Sequence, residues 1–103
     1  MFYANGGKGF SMSFASGLTI SVQFGYGNYC ENRHNQNQRN NERSLQAVDL
    51  ETSSQNAEIA IWETESGNWV TNNFIDCHGD EVIGYLSADQ VAALIAKVAS
   101  IHE

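Results

Sequence analysis

The chain is expected to fold as an α+β domain: an antiparallel sheet of about four to five strands, built from two hairpins, with one C-terminal amphipathic helix packed on it. Three observations carry this expectation. Residues 10–24 alternate apolar and hydroxyl-bearing side chains with period two, the mark of half-buried strands. Residues 57–62 set Ala57, Ile59 and Ile61 on one face at the same period, with Glu58, Ala60 and Trp62 on the other. Residues 87–101 change to helical spacing behind a helix-start signal. At 103 residues and 42% apolar composition, the chain has the length and make-up of one globular domain, expected over 1–103. It contains no proline, so its turns fall to Gly, Asn, Asp and Ser.

In chain order, Phe2 to Ala4 reads as a short leading strand closed by the turn Asn5-Gly6-Gly7. Phe10, Met12 and Phe14 then alternate with Ser11 and Ser13. Leu18, Ile20, Val22 and Phe24 alternate with Thr19, Ser21 and Gln23. The loop Ala15-Ser16-Gly17 between them makes a hairpin. A long polar loop is expected at about 31–55, where seven of the fifteen residues 31–45 are Asn or Gln and three are Arg. Within it, Val48 and Leu50 flank Asp49 as a short edge-strand signal.

The second hairpin is expected from Ala57, Ile59 and Ile61 on one face and Glu58, Ala60 and Trp62 on the other. Residues 63–68 make its turn, and Trp69 to Thr71 begin the return strand. Residues 76–80 read as a further turn and residues 81–86 as a last short strand. Ser87 and Gln90 form the capping-box pattern, with Leu86 and Val91 placed for a hydrophobic staple. Val91, Leu94, Ile95, Val98 and Ile101 make one apolar stripe, which the sheet must bury. Asp89 early and Lys97 late both suit the helix dipole.

The net charge of −7 is unevenly placed: residues 46–103 carry ten acids against Lys97 alone. That half is unsuited to direct nucleic-acid binding and suited to a basic protein surface. No stretch has the length of a membrane-spanning helix, and no basic-then-apolar leader opens the chain. A soluble, cytoplasmic protein is expected, and two cysteines make no disulfide framework.

Cys30, His34, Cys77 and His78 are the residue types of a tetrahedral zinc set, although no C-x-x-C pair is present. Together with the arginines of the polar loop they define an alternative reading, a small-ligand or zinc-binding module. Asp76-Cys77-His78 lacks the spacing of a nucleophile and its base, and Gly6, Gly7 and Gly9 lack the Lys-Ser/Thr of a phosphate loop. No catalytic residue and no cofactor are therefore assigned. Exposed Trp and Tyr beside acids are instead the composition of a protein-binding surface. That surface is expected to use Tyr26, Glu58, Trp62, Glu63, Glu65, Asp80 and Glu81, with Trp62 outward and Trp69 in the core.

The segments "MFYANGGKGFSMSF", "GNYC" and "AEIAIW", followed by the capped helix, resemble in style the short accessory proteins encoded by bacteriophages and other mobile elements. Many such proteins inhibit host defences, anti-CRISPR proteins among them. The resemblance implies a small acidic domain that acts without catalysis, by binding a host protein or ribonucleoprotein complex. It transfers no residue, because that group shares no catalytic motif. The uncovered edges of an open sheet add homodimerisation as a further expectation.

Overall fold

The computed structural model describes residues 1–35 and 53–101. The expected architecture is present: one antiparallel sheet of five strands in the order β1-β2-β3-β4-β5, with one helix at its C-terminal end. The strands are β1 (Phe2–Ala4), β2 (Gly9–Ser13), β3 (Leu18–Gln23), β4 (Asn56–Glu63) and β5 (Ile83–Ser87), and α1 covers Ala88–Ser100. Every neighbouring pair is antiparallel, so the sheet is a simple meander.

The register sorts the side chains by chemistry. Phe10 opposes Val22, which opposes Ile59, and Met12 opposes Ile20, which opposes Ile61. These residues share the face toward α1, as do Phe2 and Ala4 beside them. The period of two sends the intervening residues to the other face. There Tyr3, Ser11, Ser21 and Ala60 form one row, and Ser13, Thr19 and Trp62 the next. Both strand phenylalanines, Phe2 and Phe10, thus line the helix side with Met12, Ile20, Val22, Ile59 and Ile61, whereas the hydroxyls, Tyr3, Ala60 and Trp62 line the helix-free side.

Helix α1 starts where the sequence places it. The Ser87 hydroxyl accepts the Gln90 N–H at 3.2 Å, and the Gln90 side chain accepts the Ser87 N–H at 2.9 Å. This reciprocal pairing satisfies two donors that a helix start leaves open. Val91, Leu94 and Val98 are buried against Leu18, Ile20, Ile59, Ile61 and Leu86. Each such side chain contributes about 1.5–3 kcal/mol by leaving water, more than any propensity difference within the helix. The helix packs on β3, β4 and β5. Its far end is tied to the β2–β3 turn, where the Ser16 hydroxyl donates to the Val98 carbonyl at 3.1 Å.

The second hairpin differs from expectation. The chain does turn over residues 63–68, with the Glu63 N–H donating to the Asn68 carbonyl at 2.9 Å. The expected return strand, however, shrinks to one isolated bridge between Trp62 and Trp69. The reason is Thr71, which is 1% exposed. Its hydroxyl accepts the Ile61 N–H at 2.9 Å and donates to the Ile61 carbonyl at 3.3 Å. A side chain thereby takes the place of a ladder partner, and the backbone leaves as a 3-10 turn over Thr71–Asn73. On this edge the strand partner of β4 is β5, paired from Asn56–Ser87 to Ile59–Ile83 across a register shift. The Val48–Leu50 edge-strand signal and most of the polar loop lie outside the described residues.

Both ends of that loop are clamped where they meet the sheet. The Glu31 N–H donates to the Asn56 side chain at 2.6 Å, and the Gln55 N–H donates to the Glu31 carboxylate at 2.7 Å. Asn32 is buried, and its amide donates to the carbonyls of Phe24 and Ser53 at 2.8 and 2.9 Å.

Candidate functional site: the helix-free face of the sheet

The helix-free face is polar, yet its polar groups are already paired with one another. The Ser13 and Thr19 hydroxyls lie 2.8 Å apart, and the Thr19 and Thr64 hydroxyls 2.7 Å apart. Gln23 donates to the Ser21 hydroxyl at 3.0 Å, and Asn5 to the Ser11 hydroxyl at 3.1 Å. Among the described residues, no buried side-chain nitrogen or oxygen lacks a hydrogen-bond partner. Ser11, Thr19 and Ser21 are already buried with their hydroxyls paired, so covering them leaves none orphaned, and orphaned groups are the usual cost of burying a polar surface.

Aromatic side chains border it. Trp62 is half-buried, and Trp69 stacks beside it with ring centroids 6.1 Å apart and planes tilted by 34°. Trp69 is 49% exposed, contrary to the expectation that it joins the core. Its place follows from the bridge: opposite Trp62, it extends the row Ser13–Thr19–Trp62 across the helix-free face. Tyr3 stands at the far end of the neighbouring row.

A second aromatic group sits where β4 and β5 fall out of register. Between the pairs Ala57–Leu86 and Ile59–Ile83, Glu58 faces the two residues Gly84 and Tyr85. Tyr29 is inserted here. Its N–H donates to the Glu58 carboxylate at 2.9 Å, and its carbonyl accepts the Tyr85 N–H at 2.9 Å. A Cβ on Gly84 would lie 2.4 Å from the Tyr29 Cβ, so only glycine lets Tyr29 come this close. Tyr85 has φ +60°, a conformation that costs a bulky residue of order 1–3 kcal/mol. The bulge and its strain turn the Tyr85 ring outward, 55% exposed. The Arg33 guanidinium stacks on the Tyr29 ring at 4.3 Å.

The acidic residues expected on one surface divide into separate groups. Glu58 belongs to the Tyr29–Tyr85 cluster. Glu63 lies five residues further along β4, roughly 16 Å away at 3.3 Å per residue. Its carboxylate accepts from Ser66 and Asn68 at 3.0 and 3.4 Å within the turn, and Glu65 is exposed beside it. Asp80 and Glu81 lie in the loop before β5, where the Asp80 carboxylate accepts the Glu81 N–H at 2.8 Å. Tyr26 is half-buried in the loop after β3, and its carbonyl accepts from Lys8 at 3.4 Å. Local alternation cannot reveal this division, because the strip joins positions of opposite parity on β4 to a loop.

The four Cys and His residues are not gathered into a metal site. Among the described residues, no group of three or more His, Cys, Asp or Glu side chains is placed to hold a metal ion. Cys30 and Cys77 are buried free thiols that donate weakly to the carbonyls of Gly25 and Ile75 at 3.6 and 3.5 Å. Burial pushes both thiols up, and for Cys77 the carboxylates of Asp76 and Asp80 add to the shift. His34 and His78 are exposed, and His78 stands 3.6 Å from the Asp76 carboxylate. Arg39 and Arg43 of the alternative ligand site lie outside the described residues.

Among the described residues, no helix is long and apolar enough to cross a membrane. The surface expected from the sequence leaves out Trp69, Tyr29 and Tyr85. The signals for them are the Gly84-Tyr85 pair inside a strand pattern, which marks a bulge, and the Glu63–Asn68 turn, which sets Trp69 opposite Trp62. No protein-family model, curated protein or solved structure matches this chain.

Proposed function

We propose that this protein acts by binding another protein, without catalysing a reaction, and that the helix-free sheet face is its recognition surface. The observation that carries this reading is the pair of half-buried Trp62 and exposed Trp69 beside a row of hydroxyls that are already hydrogen-bonded. Amphipathic rings flanked by satisfied polar groups are the pattern of an interface anchor. Glu58 on the same face, Glu63 and Glu65 at its turn, and Asp80 and Glu81 before β5 favour a cationic partner. The net charge of −7 acts in the same direction over a longer range.

The resemblance to phage accessory proteins points to the kind of partner: a host defence protein or ribonucleoprotein complex whose basic, nucleic-acid-holding surface this chain would cover. The test is capture from a nuclease-treated bacterial lysate with the tagged wild type and with Trp69→Ala. A partner should be retained by the wild type and lost by Trp69→Ala, which unlike most core changes leaves folding intact. Association with the purified partner should slow steeply as salt rises, and Glu63→Lys/Glu65→Lys should weaken it at least about tenfold. Equal capture by wild type and Trp69→Ala overturns the assignment of the surface.

A further inference from the structure

We propose that two copies of this chain associate through the outer edge of β1, joining their sheets into one about a two-fold axis at Tyr3. The inference rests on the β1 edge and shares only Tyr3 with the recognition face. It begins from an overhang in the fold: α1 packs on β3, β4 and β5, Phe10 and Met12 of β2 pack against the margin of that core, and β1 extends beyond it. The helix-side face of those two strands is nonetheless apolar. Phe2 pairs with Met12 and Ala4 with Phe10. Met1 and Phe2 are each 77% exposed and Tyr3 is 45% exposed.

The edge is self-complementary. The Ser13 N–H donates to the Met1 carbonyl and the Asn5 N–H to the Gly9 carbonyl, at 2.9 and 3.0 Å. Odd-numbered residues therefore direct their backbone groups inward to β2. In an antiparallel ladder the even-numbered ones, Phe2 and Ala4, direct theirs outward. A two-fold axis at Tyr3 sets Phe2 against Ala4 of the second copy and Ala4 against its Phe2. Each of these pairs exchanges both backbone hydrogen bonds. The large Phe2 ring lies beside the small Ala4 on the helix side, and the two Tyr3 rings meet on the other. A large side chain facing a small one, repeated by symmetry, is what an isologous interface requires.

Charge selects the same edge. A protein of net charge −7 repels its own copies over most of its surface, but Lys8 is the one charged side chain among residues 1–30. The acids lie on the later part of the chain. The exposed parts of Met1, Phe2 and Tyr3 amount to on the order of 400 Å². That is about half of the roughly 800 Å² per partner of a standard interface. The rims of Phe10 and Met12 and the edge backbone supply further area.

The experiment is sedimentation velocity and hydrogen exchange on the whole chain from about 1 to 200 µM, at low and high salt. We expect the mass to pass from 11.4 kDa to twice that value as concentration rises. Salt should strengthen the association, because screening removes anion–anion repulsion. This is opposite to its effect on binding a cationic partner, so the two proposals fail separately. The Ala4 amide should become protected in step with dimer formation. Ala4→Pro removes an outward N–H without touching the β1–β2 ladder, and Phe2→Lys adds charge at the edge. Each should raise the dissociation constant at least tenfold with unchanged circular dichroism. A mass of 11.4 kDa throughout overturns the proposal, as does a dimer in which the wild-type Ala4 amide exchanges freely.

Discussion

Gly84→Ala puts the packing at the β4–β5 irregularity to a quantitative test. The added methyl would lie 2.4 Å from the Tyr29 Cβ and 2.7 Å from the Tyr29 carbonyl oxygen. Ordinary contacts are about 3.5–4.0 Å, so Tyr29 and β5 must part by roughly 1 Å. Part of this clash is with backbone, which cannot swing away as a side-chain tip can. Parting them breaks the Tyr85 N–H to Tyr29 carbonyl bond of 2.9 Å and loosens the Tyr29–Glu58 bond that sets the loop. Overpacking costs about 1–3 kcal/mol, and one lost hydrogen bond adds about 1 kcal/mol. The expected loss is therefore about 2–4 kcal/mol. Urea unfolding followed by tryptophan emission measures it, and a slope of about 1.5 kcal/mol per M puts the midpoint roughly 1.3–2.7 M lower. Gly67→Ala is the control. Its Cβ meets nothing within 4 Å, but φ is +77°, so it carries only the left-handed backbone penalty of about 1–2 kcal/mol. A Gly84→Ala loss below about 0.5 kcal/mol, or no larger than that of Gly67→Ala, refutes the close approach of Tyr29.

Three further outcomes are expected. Thr71→Val keeps the shape but removes the hydroxyl that pairs with Ile61. It leaves a buried N–H without a partner and should cost about 1–3 kcal/mol in the same urea assay. Ser87→Ala removes the helix cap and should lower stability by about 1 kcal/mol, read as a fall in Tm, with Ser87→Asp retaining most of it. Cys30 and Cys77 have thiols raised from 9.0, chiefly by burial. Their reaction with a disulfide reagent at pH 8 should be at least tenfold slower in the folded chain than in urea. A group raised on folding contributes stability below its unfolded value and loses it as pH rises through the folded one. The urea midpoint should therefore fall above about pH 9, and Cys30→Ala/Cys77→Ala should flatten that fall.

The residues explain which features were legible. Period-two alternation placed β2, β3 and β4, because one face of each carries the apolar residues of the core, and the Asn5-Gly6-Gly7 turn signal placed β1. The Ser87–Gln90 capping box placed the start of α1 to the residue, and the stripe Val91, Leu94 and Val98 placed its buried face. All of these are local signals: a few neighbouring residues suffice to read the face, the period and the end. The helix-free site was legible at its hydroxyl rows and at Glu58 and Trp62, whose strand parity points away from the core.

The amino-acid sequence by itself determined the elements, their inward faces and the uneven charge. Tertiary structure decided which strand β4 pairs with, where Trp69 stands and that the Cys and His residues stay apart. A strand's period reports whether one face is buried, but both of its edges offer the same backbone groups to any partner. At β4 that choice was settled by contacts between residues distant in the chain. Thr71 ends the pairing with the chain after Trp69, and Gly84 admits Tyr29 beside β5. Their side-chain fit in three dimensions carries no repeating signature in one.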